Sequence, residues 1–192
     1  VYICTDQIST TESYFLAFSV SVEHPETMGI TITASHNPAN YIGLKITVQG
    51  TQAIGLNCGP LGGFSKIREI YHSEESMSEC DGGNLHIVNL SDQYIKFSMK
   101  TAGVTENMLK GVTVVLDSFN GAAGSVLFRA LKIAGAVVIP LRIFPDGNFP
   151  TGAPNPISKG KMINAVSLAG ENINAIVIGT DGDGDRLVFG DK

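Results

Sequence analysis

Val112–Leu116 reads VTVVL, an unbroken run of apolar and β-branched residues that stops at Asp117. NGAAG follows at Asn120–Gly124, then an alanine- and leucine-rich helical stretch to about Ala134. Next come AVVIPL at Ala136–Leu141, a Pro/Gly/Asn loop over Phe144–Pro156, a helix over Ser158–Ala169, and NAIVIG at Asn174–Gly179. Strands that are continuously apolar, not alternating, are covered on both faces. When helices separate them, they lie parallel and are joined by right-handed crossovers. The fold class is therefore α/β.

Working back toward the amino terminus, the grammar is looser. Val1–Thr5 (VYICT) reads as a strand. Thr11–Val22 reads as a helix that Thr11 would cap, Met28–Thr33 (MGITIT) and Leu44–Val48 as strands, and Phe64–Tyr71 as a helix. Gly50–Gly63 reads as loop, Ser73–Asn84 as a polar, acidic surface segment, and Ser91–Ala102 as a connecting helix. Two consecutive three-layer α/β units with mainly parallel sheets, both incomplete, are the expected architecture. The chain starts at Val1, already in a strand, and closes on Leu187–Lys192, which reads as the start of a further element. It is thus expected to be an excerpt of a longer protein.

Composition narrows the function classes. The apolar share of 43% supports a sizeable core, and no apolar run approaches the roughly 18 residues of a membrane span. The net charge is −5 with no Lys/Arg block, which argues against nucleic-acid or membrane-surface partners. Cys4, Cys58 and Cys80 are odd in number and widely spaced, as expected of reduced thiols in a cytoplasmic protein. His24, His72 and His86 lie in polar context and read as surface histidines. No G-x-x-x-x-G-K-[ST] or G-x-G-x-x-G loop is present.

Chemistry concentrates at two strand ends. Thr180–Arg186 reads TDGDGDR, with Asp181, Asp183 and Asp185 alternating with glycine directly after an apolar strand. Glycine permits the left-handed backbone a tight curl needs, so the three carboxylates can face one centre. Carboxylates that close repel unless a cation sits among them, and oxygen-only ligation selects a hard ion, Mg2+ or Ca2+. An acidic turn in solvent is the plain alternative. An EF-hand is excluded: its sixth position would be Arg186 where Gly is needed, its twelfth Lys192 where Glu is needed, and a strand precedes it. Mg2+ with a phosphate as its remaining partner fits better.

Thr33–Pro38 reads TASHNP, also after a strand. Ser35 is placed as a nucleophile or phosphate carrier, although G-x-S-x-G is absent. In an extended segment the adjacent side chains of Ser35 and His36 would diverge, making His36 a poor base for Ser35. An Asn-Pro turn with a surface histidine is the structural alternative. In YIGLK, Tyr41–Lys45, Gly43 allows a close backbone approach. Lys45 could face the same cleft, where neighbouring cations would make it a usable acid/base group.

TASHNP, then YIGLK, then the DGDGDR loop, in this order and in these strand contexts, resemble the α-D-phosphohexomutase superfamily of phosphoglucomutases, phosphomannomutases and phosphoglucosamine mutases. DSFNGAAG at Asp117–Gly124 is similar to that family's entry to its second domain. The resemblance implies four domains, of which this chain would hold most of two. Residues 1–90 would be a first domain lacking its amino-terminal part, 91–109 a connector, and 110–192 a second domain truncated at its end. It implies that Ser35 carries a phosphoryl group and that Asp181, Asp183 and Asp185 bind Mg2+ together with a phosphoserine oxygen. It further implies that Arg186 lies beside the phosphoryl group, that Lys45 is the general acid/base and that His36 supports the reacting oxygens. The implied reaction moves a phosphate between C1 and C6 of a hexose phosphate through a bisphosphorylated sugar.

Two departures stand out. Ile42 occupies the position before Gly43 where the family usually has Asn. The family's amino-terminal glycine/arginine loop, its sugar-recognition loop and its phosphate clamp do not occur in these residues, so the excerpt alone is expected to be inactive. Glucose, mannose and glucosamine phosphates all remain open as substrates, and nothing in the sequence fixes an oligomeric state. The competing readings are a non-catalytic metal-binding α/β module and, less well matched, a magnesium phosphatase with an Asp nucleophile. The latter needs Thr or Val where Asp185 stands.

Overall fold

The computed structural model describes residues 1–73, 82–170 and 175–190. Most of the acidic stretch read over Ser73–Asn84, together with Cys80, Asn174 and Lys192, lies outside the described residues. In chain order the elements are β1 (Tyr2–Ile3), α1 (Thr10–Ser21), β2 (Gly29–Ile32), β3 (Leu44–Val48), β4 (Gln52–Ala53), α2 (Gly63–His72), β5 (His86–Ile87) and α3 (Ser91–Thr101). They continue as β6 (Thr113–Asp117), α4 (Gly124–Ile133), β7 (Val137–Leu141), α5 (Ile163–Gly170), β8 (Ala175–Thr180) and β9 (Leu187–Gly190). The described residues group into two compact units. One comprises Val1–Asp6, Ser13–Ile32 and Leu44–Asn89, the other Gln7–Glu12, Thr33–Gly43 and Leu90–Lys192.

In the first unit β1 pairs in parallel with β5, and β2, β3 and β4 form an antiparallel meander in which Thr31 faces Lys45. Gly50–Gly63, expected to be loop, contains β4 and a 3-10 turn at Pro60–Gly62. His24, His72 and His86 are exposed as expected. The ring of His86, however, stacks on Tyr2 at 4.7 Å between centroids, an anchor for the short parallel pair.

Helix α1 starts at Thr10, and its cap is Ser9, not Thr11. Ser9 Oγ accepts the Glu12 N–H at 3.2 Å, while the Glu12 carboxylate accepts the Ser9 N–H at 2.9 Å. This reciprocal pair satisfies two amides that helix geometry leaves without partners. Glu12 also accepts from Ser91 Oγ at 2.6 Å, and Thr11 Oγ1 bonds Tyr94 OH at 2.9 Å, so the first turn of α1 is tied to α3.

The larger sheet runs β7-β6-β8-β9. Its first three strands are parallel and β9 closes it antiparallel against β8. Side chains alternate across the central strand β6. Val114 and Leu116 pack with Leu127, Phe128 and Leu131 of α4, whereas Val115 packs with Ala165, Val166 and Ala169 of α5. That alternation produces the three layers and explains why VTVVL is apolar throughout. Pro140, which cannot donate to a ladder, sits on β7 at the sheet edge. Helix α5 begins at Ile163, later than the expected Ser158, because Ser158–Lys161 closes its own turn (Lys161 N–H to Ser158 O, 3.1 Å).

Candidate metal and phosphoryl site

Strand β8 delivers Asp181 from its carboxyl end, and the chain curls through Asp183 and Asp185 before turning back as β9. The curl is held from outside. The Ala122 N–H donates to Gly182 O at 2.9 Å, and the Thr10 N–H donates to Asp183 O at 2.8 Å. Gly184 supplies the expected left-handed residue with φ +70°. DSFNGAAG thus has a visible structural role: it backs the acidic loop.

One carboxylate oxygen from each of Asp181, Asp183 and Asp185 lies within 4.8 Å of the others. Asp181 and Asp183 are buried and Asp185 is exposed. Burial pushes the Asp181 carboxyl above the usual carboxylate range and the Asp183 charge adds to the rise, while the amide and guanidinium of Arg186 pull it back. A cluster of oxygen donors whose own repulsion and desolvation oppose ionisation is chemically suited to a hard cation. These residues fit a metal ion.

The loop Thr33–Gly43 belongs to the same compact unit. Ser35 Oγ donates to Asp181 Oδ2 at 3.1 Å. The guanidinium of Arg186 reaches four residues: its Nε donates to Asp181 Oδ2 at 2.8 Å and lies 3.7 Å from Asp185 Oδ1, and its Nη2 contacts both Ser35 Oγ and His36 Nδ1. Arginine has no acceptor, so His36 Nδ1 accepts here. The divergence expected of adjacent Ser35 and His36 does not occur, because Ser35 adopts φ 59° and the chain is not extended there. Left-handed backbone at a non-glycine residue costs of order 1–3 kcal/mol, and such residues gather at functional sites. Phe119, Asn120, Arg142 and Phe149, all in this unit, share that conformation.

Ser35, His36, Asp181, Asp183, Asp185 and Arg186 are therefore brought together. Lys45 lies on β3 of the first unit, half-buried and opposite Thr31 in register. Ile42 is 85% exposed, so its side chain fills no core position.

Sequence reasoning missed two hydroxyls. Thr10 Oγ1 donates to Asp183 Oδ2 at 2.8 Å, and Thr33 Oγ1 donates to the same oxygen at 3.1 Å while accepting the Ser35 N–H at 2.9 Å. Only Thr10 had a nearby signal, since S-T-T-E over Ser9–Glu12 is a capping box that fixes where the helix begins. It missed, too, the ion pair of buried Asp117 with Arg142.

An α/β protein with a layered, mostly parallel sheet and an oxygen-donor cluster at its strand ends belongs to the class that binds ligands at the carboxyl edge of the sheet. Within that class the chain belongs to the phosphoglucomutase/phosphomannomutase family. The model for that family's α/β/α domain I matches residues 1–57 and the model for its α/β/α domain II matches residues 92–192. The chain is 32% identical over 188 residues to a phosphomannomutase of Vibrio cholerae, covering 95% of this chain and 38% of that protein. It is 31% identical over 159 residues to a phosphomannomutase/phosphoglucomutase of Pseudomonas putida, covering 83% of this chain and 32% of that one. A solved phosphoglucomutase/phosphomannomutase family protein from Burkholderia thailandensis superposes with a TM-score of 0.67 at 27% identity, over 84% of this chain and 33% of that structure. The chain thus spans well under half the length of the relatives it matches. Among the described residues no helix is long and apolar enough to cross a membrane.

Proposed function

We propose that this chain carries the phosphoryl-transfer centre of a phosphosugar mutase that moves a phosphate between C1 and C6 of a hexose phosphate. The observation that carries the reading is the position of Ser35 Oγ, hydrogen-bonded to Asp181 and touched by Arg186 at the mouth of a three-carboxylate cluster. A serine that only closed a turn would have no call on a guanidinium and a metal-binding carboxylate together.

In this reading Ser35 holds the phosphoryl group as a phosphoserine. Asp181, Asp183 and Asp185 would hold Mg2+ beside it, and that ion would supply charge neutralisation at the transferring group. Arg186, whose fork already spans Asp181 and Ser35, stabilises the charge on the equatorial oxygens as transfer proceeds. His36 steadies Arg186 from its other side. The sugar hydroxyl forms a new O–P bond as the Ser35 Oγ–P bond breaks, and its proton passes to Lys45. The freed Ser35 oxygen stays unprotonated beside Arg186 while the bisphosphorylated sugar turns in the site; Ser35 Oγ then bonds to the other phosphorus as that sugar O–P bond breaks, and Lys45 returns its proton to the freed sugar oxygen.

Lys45 is assigned to this step because its strand leaves directly from the serine loop, where the Thr33 N–H donates to Gly43 O at 2.9 Å. A cytoplasmic setting fits the free thiols of Cys4 and Cys58, and the hexose phosphate is the partner assigned. The 192 residues acting alone are assigned no mutase turnover, because they span 38% of a relative such as the Vibrio cholerae protein.

The test is phosphopeptide mass spectrometry on the protein as encoded, purified from its native cell. A phosphate on Ser35, with its loss and the loss of hexose-phosphate isomerisation in Ser35→Ala, is the expected result. An unmodified Ser35 with full isomerisation in Ser35→Ala would overturn the reading. Metal binding without either would leave the acidic loop a structural cation site.

A further inference from the structure

We infer that Thr10 and Thr33 are positioning residues for the metal centre, acting together through one oxygen, Asp183 Oδ2; this rests on the reading of Asp181, Asp183 and Asp185 as metal ligands. Both hydroxyls donate to that oxygen, at 2.8 Å from Thr10 and 3.1 Å from Thr33. Two donors converging on one carboxylate oxygen fix the rotation of the Asp183 side chain, which an exposed aspartate would leave free.

The two threonines come from different parts of the chain and are themselves anchored. Thr10 is wholly buried, and its amide holds Asp183 O at 2.8 Å, so one residue grips both the main chain and the side chain of Asp183. The Ser9–Glu12 capping pair, the Glu12–Ser91 bond and the Thr11–Tyr94 bond hold the helix turn that carries Thr10. Thr33 also bonds within the serine loop. Its Oγ1 accepts the Ser35 N–H at 2.9 Å, so the hydroxyl that orients a metal carboxylate also fixes the backbone of the proposed phosphoryl carrier. Thr33 Oγ1 therefore adds a link between the carrier loop and the metal loop to those made by Ser35 and Arg186. Groups that orient ligating carboxylates typically affect metal affinity or activity about 10–100-fold on removal.

The experiment measures Mn2+ dissociation constants by titration calorimetry on the protein as encoded, for wild type, Asp183→Asn, Thr10→Val, Thr10→Ser, Thr33→Val and Thr33→Ser. Thermal midpoints in chelator are recorded alongside. Valine keeps the shape of threonine and removes the donor, whereas serine keeps the donor. The expected result is Mn2+ binding weakened about 10–100-fold in each valine variant and close to wild type in each serine variant, even where the serine variant lowers the chelator midpoint as much. Of the two valine variants, Thr33→Val alone should also raise the mutase KM for hexose phosphate, since Thr33 and not Thr10 bonds the Ser35 amide. Should Thr10→Val fail to fold, the Thr33 pair decides. If Asp183→Asn loses Mn2+ and both valine variants keep wild-type affinity, this inference falls while the metal reading stands. If wild type binds no Mn2+, the metal reading falls and takes the inference with it.

Discussion

Gly182 leaves no room for a side chain beside Ser35: a Cβ built there would stand 2.5 Å from the Ser35 carbonyl oxygen and 2.7 Å from Pro154 Cγ. The obstacle on one side is backbone and on the other a ring, so neither yields by a rotamer change. The contact sets how near the serine loop can come to the acidic loop. Gly182→Ala should push the two apart, and misplacement near 1 Å costs on the order of 100-fold in rate. We expect mutase activity lower by about that factor, with a native far-UV spectrum. Unchanged kinetics would mean that the two loops do not act as one centre.

Arg186 joins the two loops by charge where Gly182 joins them by shape. Its Nε and Nη2 spread over Asp181, Ser35 and His36, a reach that needs a planar fork. Arg186→Lys retains one positive charge and loses the fork. Removal of one preorganised donor from a developing oxyanion costs about 10²–10³ in kcat, and in the proposed transfer, where the contact would tighten at the transition state, the loss should fall on kcat more than on KM. Steady-state kinetics on hexose phosphate measure it. A lysine variant with the wild-type kcat would remove Arg186 from the transfer step.

Asp181 gives the proposed metal binding a pH dependence of defined direction. Burial first, and the Asp183 charge second, raise its pKa in the fold above its value in the unfolded chain. A group of that kind favours the fold at low pH, and its contribution is lost as pH climbs through the raised value. A divalent cation replaces the proton, so the stabilisation by Mg2+ should grow with pH across the window between the ordinary carboxylate value and the raised one. At about 100 times the dissociation constant a bound ion adds about 2.7 kcal/mol. Melting curves with Mg2+ and with chelator at a series of pH values test this. A metal-induced shift that is flat or falls with pH contradicts it.

What could be read from residues alone follows a physical line. VTVVL announced a central strand because both faces of β6 are buried, and TDGDGDR announced a carboxylate cluster because alternation with glycine lets the three acids curl to within 4.8 Å of one another. The convergence of Ser35 and His36 on one guanidinium depends on a φ of 59° that no residue pattern reports. Thr10 and Thr33 find Asp183 across separations of 173 and 150 residues, and a threonine looks the same in sequence whether its hydroxyl meets water or a carboxylate. β5 spans only two exposed residues, His86 and Ile87, too short for periodicity to mark. The start of α1 was legible and misread, since the Glu12 carboxylate selects Ser9 over Thr11 as the cap.

Arg142 and Asp117 test how far the scaffold around the site depends on charge. Asp117 is wholly buried at the end of β6, and Arg142 holds both its carboxylate oxygens, lies 4.2 Å from the Phe119 ring centroid and donates to Thr151 Oγ1 at 2.8 Å. Arg142→Met strands a carboxylate in the interior, a change that costs about 3–5 kcal/mol. The double variant Asp117→Leu/Arg142→Met removes both charges and should recover most of that loss, because the penalty lies in the unpaired charge and not in the absence of the bond. Urea denaturation of the two variants beside wild type measures both quantities. If the double variant is no more stable than Arg142→Met, the pair contributes through its hydrogen bonds to Phe119 and Thr151, and the turn at Asp117–Asn120 that backs the acidic loop depends on them instead.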